Sequence, residues 1–194
     1  FMNVPRLASG MKLKKKLTLT ALAVLLLSPA ACMRVENGTL FVSEAQRPEG
    51  WPKITPVGEV ELKERPAFRL AVAEASSGSG GEGRLFGTLF RHIQDRDIPM
   101  TAPVTMTRSP QGQMESMGFL YENLEVGSVG DAGGAEVQDR PSATVVSTGL
   151  RGGYSASSYA KGLARLQSFL AERTALEPMG EPIYMGYNSP FVPG

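Results

Sequence analysis

Apolar positions along this chain keep two periods. Residues 60–72, VELKERPAFRLAV, match residues 135–147, AEVQDRPSATVVS, so that Glu61, Arg65 and Pro66 recur as Glu136, Arg140 and Pro141. Each copy predicts a strand, a turn at Arg-Pro and a second, more apolar strand. A stretch rich in Gly and Ser follows each copy, and then the period changes to that of a helix. In the first helix Leu85, Phe86, Leu89, Phe90 and Ile93 form one apolar stripe. In the second, Tyr159, Leu163, Leu166 and Leu170 do so, with Ser155, Ser157 and Ser158 as candidate caps. A further strand is expected after each helix, over residues 98–107 and 182–187. Two strand–strand–helix–strand units predict an α+β domain over residues 54–194, with the strands joined into one curved sheet and a helix packed on each half.

Before residue 54 the pattern is that of an address. Met11 opens the charged run MKLKKK, an uncharged, mostly apolar run spans residues 17–27, and Ser28, Pro29, Ala30 and Ala31 precede Cys32. That order is an export signal over residues 11–31, with an apolar run too short to span a bilayer. Cys32 is the one cysteine of the chain, so it makes no internal disulfide. Its place after the small residues resembles a lipobox, with Pro29 where such motifs usually carry Leu. Cys32 is therefore the expected lipidation site, and the mature chain is expected to be exported and anchored to the cell-envelope membrane. Residues 33–53 are polar with scattered Gly and Pro and read as a tether, so that the anchored tether spans residues 32–53. Residues 1–10 stand ahead of the natural-looking start at Met11, where the native chain is expected to begin.

Charge narrows the partners. Five of the 20 basic residues (Arg6, Lys12, Lys14, Lys15 and Lys16) precede Cys32 and none of the 19 acids does. The body is therefore mildly acidic, which disfavours phosphate backbones, so no nucleic acid is expected as a partner.

Chemical motifs are sparse. Gly78, Gly80 and Gly83 fit the G-x-G-x-x-G spacing of a phosphate-cradling loop, but no acidic residue lies at the offset such a site needs. Gly149, Gly152 and Gly153 repeat a glycine-rich connection in the second copy, which favours a structural role. His92 is the one histidine, so any His-dependent catalytic arrangement must use it. At the edge of the first helix's stripe it reads as a solvent-edge residue, with ligation as the alternative. Zinc is not expected, because one His and one acylated Cys do not supply its ligands. Asp95 and Asp97 flank Arg96 as a solvated turn. Met100, Met106, Met114, Met117, Met179 and Met185 suit a pocket for a large flat ligand, and equally a core.

The string from Leu89 to Ile93, followed by Ile98 and then MTAPV at residues 100–104, resembles the SOUL family of haem-binding proteins. Residues 60–69 resemble that family's opening strand pair, and YNSPF at residues 187–191 its late turn. The resemblance runs from about Ile54 to Val192. It implies a twisted β-barrel of two similar halves with a helix on each, and binding of haem or a related tetrapyrrole in an apolar groove. Expected lining residues are Leu85, Leu89, His92, Met100 and Met106, with His92 as the one nitrogen available to haem iron. Some members carry a histidine in the first strand, where this chain has Lys63, Glu64 and Arg65. The family also continues past the YNSPF turn into a last strand, which is expected to be missing here and to leave an edge open. The leading expectation is a monomeric, membrane-tethered, non-enzymatic binder of haem. A promiscuous binder of hydrophobic small molecules comes second. An enzyme acting on a tetrapyrrole comes last, since no nucleophile–base pair is evident.

Overall fold

The computed structural model describes residues 32–36, 39–43, 45–75 and 81–188. The expected signal segment, Gly78, Gly80 and the end of the YNSPF turn lie outside them.

β1 (Cys32–Glu36) and β2 (Thr39–Ser43) form an antiparallel hairpin that pairs Cys32 with Ser43. The last part of the expected tether, residues 45–53, lies against the domain. Trp51 is buried, its ring meets Phe68 edge-on at 5.3 Å, and its indole N–H donates to the Tyr187 hydroxyl at 3.1 Å. An indole offers much apolar area and one polar handle, and both are used here.

The repeated strands pair reciprocally. β3 (Val60–Arg65) runs antiparallel to β9 (Ala143–Thr148), and β4 (Phe68–Glu74) antiparallel to β8 (Glu136–Arg140). Arg65 faces Ala143 in the first ladder; their counterparts in the other copy, Arg140 and Phe68, face each other in the second. Exchanging the copies thus maps one ladder onto the other. The third strands, β5 (Val104–Arg108) and β10 (Tyr184–Gly186), also pair antiparallel. β6 (Met114–Leu120) inserts between β5 and β4, and β7 (Gly130–Asp131) lies outside β8. β5 begins later than expected because Pro99 and Pro103 carry no N–H for a ladder. Thr101, between them, gives its hydroxyl to the Leu120 carbonyl at 2.6 Å.

The fold is α+β with antiparallel sheets and two helices, but the expected barrel is not closed among the described residues. Six strands form one sheet in the order β10-β5-β6-β4-β8-β7, and β3 pairs with β9 in a separate ribbon. The sheet's edge strands, β10 and β7, are three and two residues long. Such short edges expose few backbone groups for a closing ladder.

Strand alternation divides the large sheet into two faces. Ala71, Ala73, Met106, Met117 and Phe119 meet α1 (Glu82–Gln94) in one cluster, while Phe68, Leu70 and Leu120 meet Trp51 on the other face. The second helix, α2 (Ala156–Ala171), starts at Ser155, whose hydroxyl accepts from the Ser158 N–H as its N-cap. Its expected stripe of Tyr159, Leu163, Leu166 and Leu170 is only half-buried; Gly162 alone is buried, against Leu150. A two-stranded ribbon has little surface with which to cover a helix, and this limits burial on that half.

Candidate functional site

α1 sits close to the sheet because β4 presents only methyl groups beneath it. Ala71 and Ala73 are 0% and 2% exposed, and Leu85, Leu89 and Ile93 pack over them. Four of the five expected lining residues, Leu85, Leu89, His92 and Met106, therefore lie in a closed interior. Met100 is half-buried against the same cluster. The structure brings these five together as core, and a flat ligand reaches the four buried ones only if α1 lifts from the sheet.

His92 is not at the solvent edge. It is 4% exposed, and its Nε2 lies 2.6 Å from the hydroxyl of Tyr121, itself 1% exposed. Nδ1 is also buried; the Ala132 backbone approaches the ring, but among the described residues no group closes a well-formed hydrogen bond on that nitrogen. Burial pushes the imidazole below its ordinary 6.5, and Arg96 acts in the same direction, against smaller opposing effects of the Ala132 backbone and Asp95. The signal was present in the sequence: Leu85, Leu89 and His92 follow the i, i+4, i+7 spacing of a helix's inner face.

This burial sets a pH dependence. The folded imidazole refuses a proton that the unfolded one accepts, so stability is expected to fall as pH drops below 6.5. Glu61 and Asp139 are held low by hydrogen bonds from Lys63 and Arg69, so their stabilisation is lost only as pH falls below their ordinary 4.5 and 3.8. The two windows are separate. Denaturant unfolding at about pH 7.5 and about pH 5.5 is expected to show a loss that His92→Gln, which can still meet the Tyr121 hydroxyl, largely removes. An equal loss in both proteins would place the proton elsewhere.

One flank of α1 turns toward β5, where Glu82 lies 3.9 Å from Arg108. Glu82, Phe86 and Phe90 recur every four residues and so share that flank. Phe86 and Phe90 stack at 5.9 Å, Phe86 also meets Phe119 of the sheet at 5.1 Å, and Phe90 is 40% exposed. At the N-terminal end of the flank stand Arg108 of β5 and three half-buried tyrosines. Tyr184 meets Tyr154 edge-on at 6.0 Å and Tyr159 at 6.1 Å. Burial pushes the Tyr154 phenol up to about 12 and raises Tyr159 and Tyr184 as well, so all three are neutral hydroxyls at neutral pH. Tyr154 donates to the Asn188 carbonyl, and Tyr184 donates to the Gly153 carbonyl at 3.4 Å. Tyr159 was visible only as part of a helix stripe, and Arg108, Tyr154 and Tyr184 carried no site signal, because β5, the loop before α2, α2 and β10 deliver these groups from distant parts of the chain. Phe86 and Phe90 were visible, but as core.

Chemically, this flank offers stacked aromatic surface, neutral phenols and one guanidinium. It fits a flat, largely apolar ligand with an acidic edge. Iron ligation by His92 does not fit the ring as it is placed, since Nε2 is engaged and the ring is sealed. Among the described residues no group of three or more His, Cys, Asp or Glu converges as a metal site.

Fold and flank together define a small α+β domain with an exposed aromatic face on α1. Residues 53–194 match the family model described as SOUL heme-binding protein, and the chain belongs to that family. No curated protein matches it.

Proposed function

We propose that this domain binds haem or a related tetrapyrrole without transforming it, on the aromatic flank of α1, as two similar halves of one fold. We also propose that the mature chain is exported and held at the membrane by acyl chains on Cys32. The family's haem-binding character supports the ligand class. The observation that carries the site is the Phe86–Phe90 stack, which leaves a large aromatic side chain 40% exposed. Burying apolar area gives roughly 25 cal/mol per Å², so a porphyrin face held by contact needs no iron bond.

Titration followed by Soret absorbance tests the reading. Haem is expected to saturate the protein at micromolar concentrations, and Phe90→Ala to weaken it about two- to tenfold through lost aromatic contact. Iron-free protoporphyrin is expected to bind nearly as well as haem, and His92→Gln to leave the Soret position unchanged. If neither porphyrin binds while unrelated lipophilic cations do, the protein is a general binder of hydrophobic molecules.

The anchor has its own test. Cys32→Ser is expected to release the protein from the membrane fraction, because acyl chains there are the strong attachment. A Cys32→Ser protein that still pelleted with membranes through a high-salt wash would remove the lipid from the account.

A further inference from the structure

Arg108 is a nearly buried cation with no hydrogen-bonded anion among the described residues. Its side chain is 9% exposed at the end of β5. Nη1 donates to the Gly112 carbonyl at 3.0 Å and Nη2 to the Tyr154 carbonyl at 2.9 Å, while Nε–H is buried with no acceptor among the described residues. Both bonds go to neutral backbone. The one carboxylate within ion-pair reach among the described residues is Glu82, at 3.9 Å, beyond hydrogen-bonding distance and 43% exposed. Glu115 and Glu181 are exposed and influence the cluster through Tyr159. A guanidinium taken out of water is costly unless an anion meets it, and its planar fork suits a carboxylate.

The surroundings define which carboxylate fits. Tyr154, Tyr159 and Tyr184 wall the cluster with rings; Tyr154 and Tyr184 already donate to the Asn188 and Gly153 carbonyls, which leaves the Tyr159 hydroxyl to donate to an anion. Glu82, beside Arg108, begins the stripe that continues to Phe86 and Phe90, one and two helical turns away at about 5.4 Å per turn. A carboxylate attached to the edge of a flat apolar molecule would satisfy both ends at once.

We propose that Arg108 is the anchor for a carboxylate of the bound tetrapyrrole, with the macrocycle along Phe86 and Phe90. The Glu82 carboxylate holds the place until the ligand displaces it. The Glu82 side chain is half-exposed and not hydrogen-bonded to Arg108, so it swings out at little cost. This assignment rests on the reading of the α1 flank as the ligand face. It adds a preference for tetrapyrroles whose carboxylates are free.

The test compares haem with haem dimethyl ester, in which both propionates are blocked, by Soret titration of the full chain. Haem is expected to bind roughly tenfold or more tighter than the ester, the scale of a charge-assisted hydrogen bond. Arg108→Met is expected to bring haem down to the level of the ester and leave the ester unchanged. Glu82→Gln, at a half-exposed position, is expected to tighten haem several-fold and not the ester. Equal binding of haem and ester by the unaltered protein would overturn the role of Arg108 and leave tetrapyrrole binding standing. Binding of neither would overturn the ligand reading itself. If Arg108→Met lost the ester as well, by failing to fold, Glu82→Gln would decide: no change in haem affinity would overturn the assignment.

Discussion

Leu89→Ala is expected to lower the stability of the domain by about 2–5 kcal/mol and to leave the tetrapyrrole affinity of the folded fraction unchanged. Leu89 is 0% exposed, on the face of α1 that covers Ala71, Ala73 and Phe119. Two of those neighbours are single methyl groups on a strand hydrogen-bonded on both sides, to β6 and to β8. They cannot move in to fill the space, so the cavity persists and the full cost is felt. Against a typical total of about 5–15 kcal/mol, this is a large share. Denaturant unfolding checks it: the midpoint should fall with the slope unchanged. The opposite pattern, stability kept and haem affinity lost, would place Leu89 in the ligand groove and require α1 to open on binding.

Gly149→Ala is expected to cost about 3 kcal/mol, toward the upper end of overpacking effects. Gly149 ends the β9 side of the ribbon, forms a parallel bridge with Val57, and accepts from the Gly58 N–H at 3.1 Å. A methyl on it would run into the carbonyl oxygens of Thr55 and Pro56. These are backbone atoms, so no side chain can turn aside, and either the segment before β3 or the ribbon must shift. At about 2–4 °C per kcal/mol for a chain of this size, a drop on the order of 10 °C is expected by thermal unfolding. Gly87→Ala is the control. A methyl there meets nothing within 4 Å and sits inside α1. Helix propensity alone acts, and stability is expected to rise by up to about 1 kcal/mol. Similar outcomes for the two substitutions would show that the approach at Gly149 is looser than described.

The sequence by itself determined the elements that carry strong periodicity or punctuation. Both helices lie where the apolar spacing put them, the Ser155 cap included. The strand pairs at residues 60–72 and 135–147 flank their Arg-Pro turns as expected. Local patterns sufficed there because turn chemistry and a helix's inner face act over a few residues. MTAPV and its companions pointed to the SOUL family for a different reason, as a string and not as a physical pattern.

Tertiary structure alone decided the rest. β6 has a weak alternation broken by Gly118, and it becomes a strand because β4 and β5 flank it on both sides. His92 follows the inner-face spacing, but whether an imidazole is sealed depends on a partner, and Tyr121 comes from 29 residues away. Four of the five expected lining residues, Leu85, Leu89, Met100 and Met106, shared one apolar character, and the sequence could not separate core from groove among them. That separation depends on how closely α1 approaches β4, which two alanines on the facing strand decide. Arg108, Glu82 and the three tyrosines come from β5, α1, α2, β10 and the loop before α2, with no common period. Their meeting is a product of strand order, which brings β10 beside β5, and strand order is written in long-range pairing and not in local sequence.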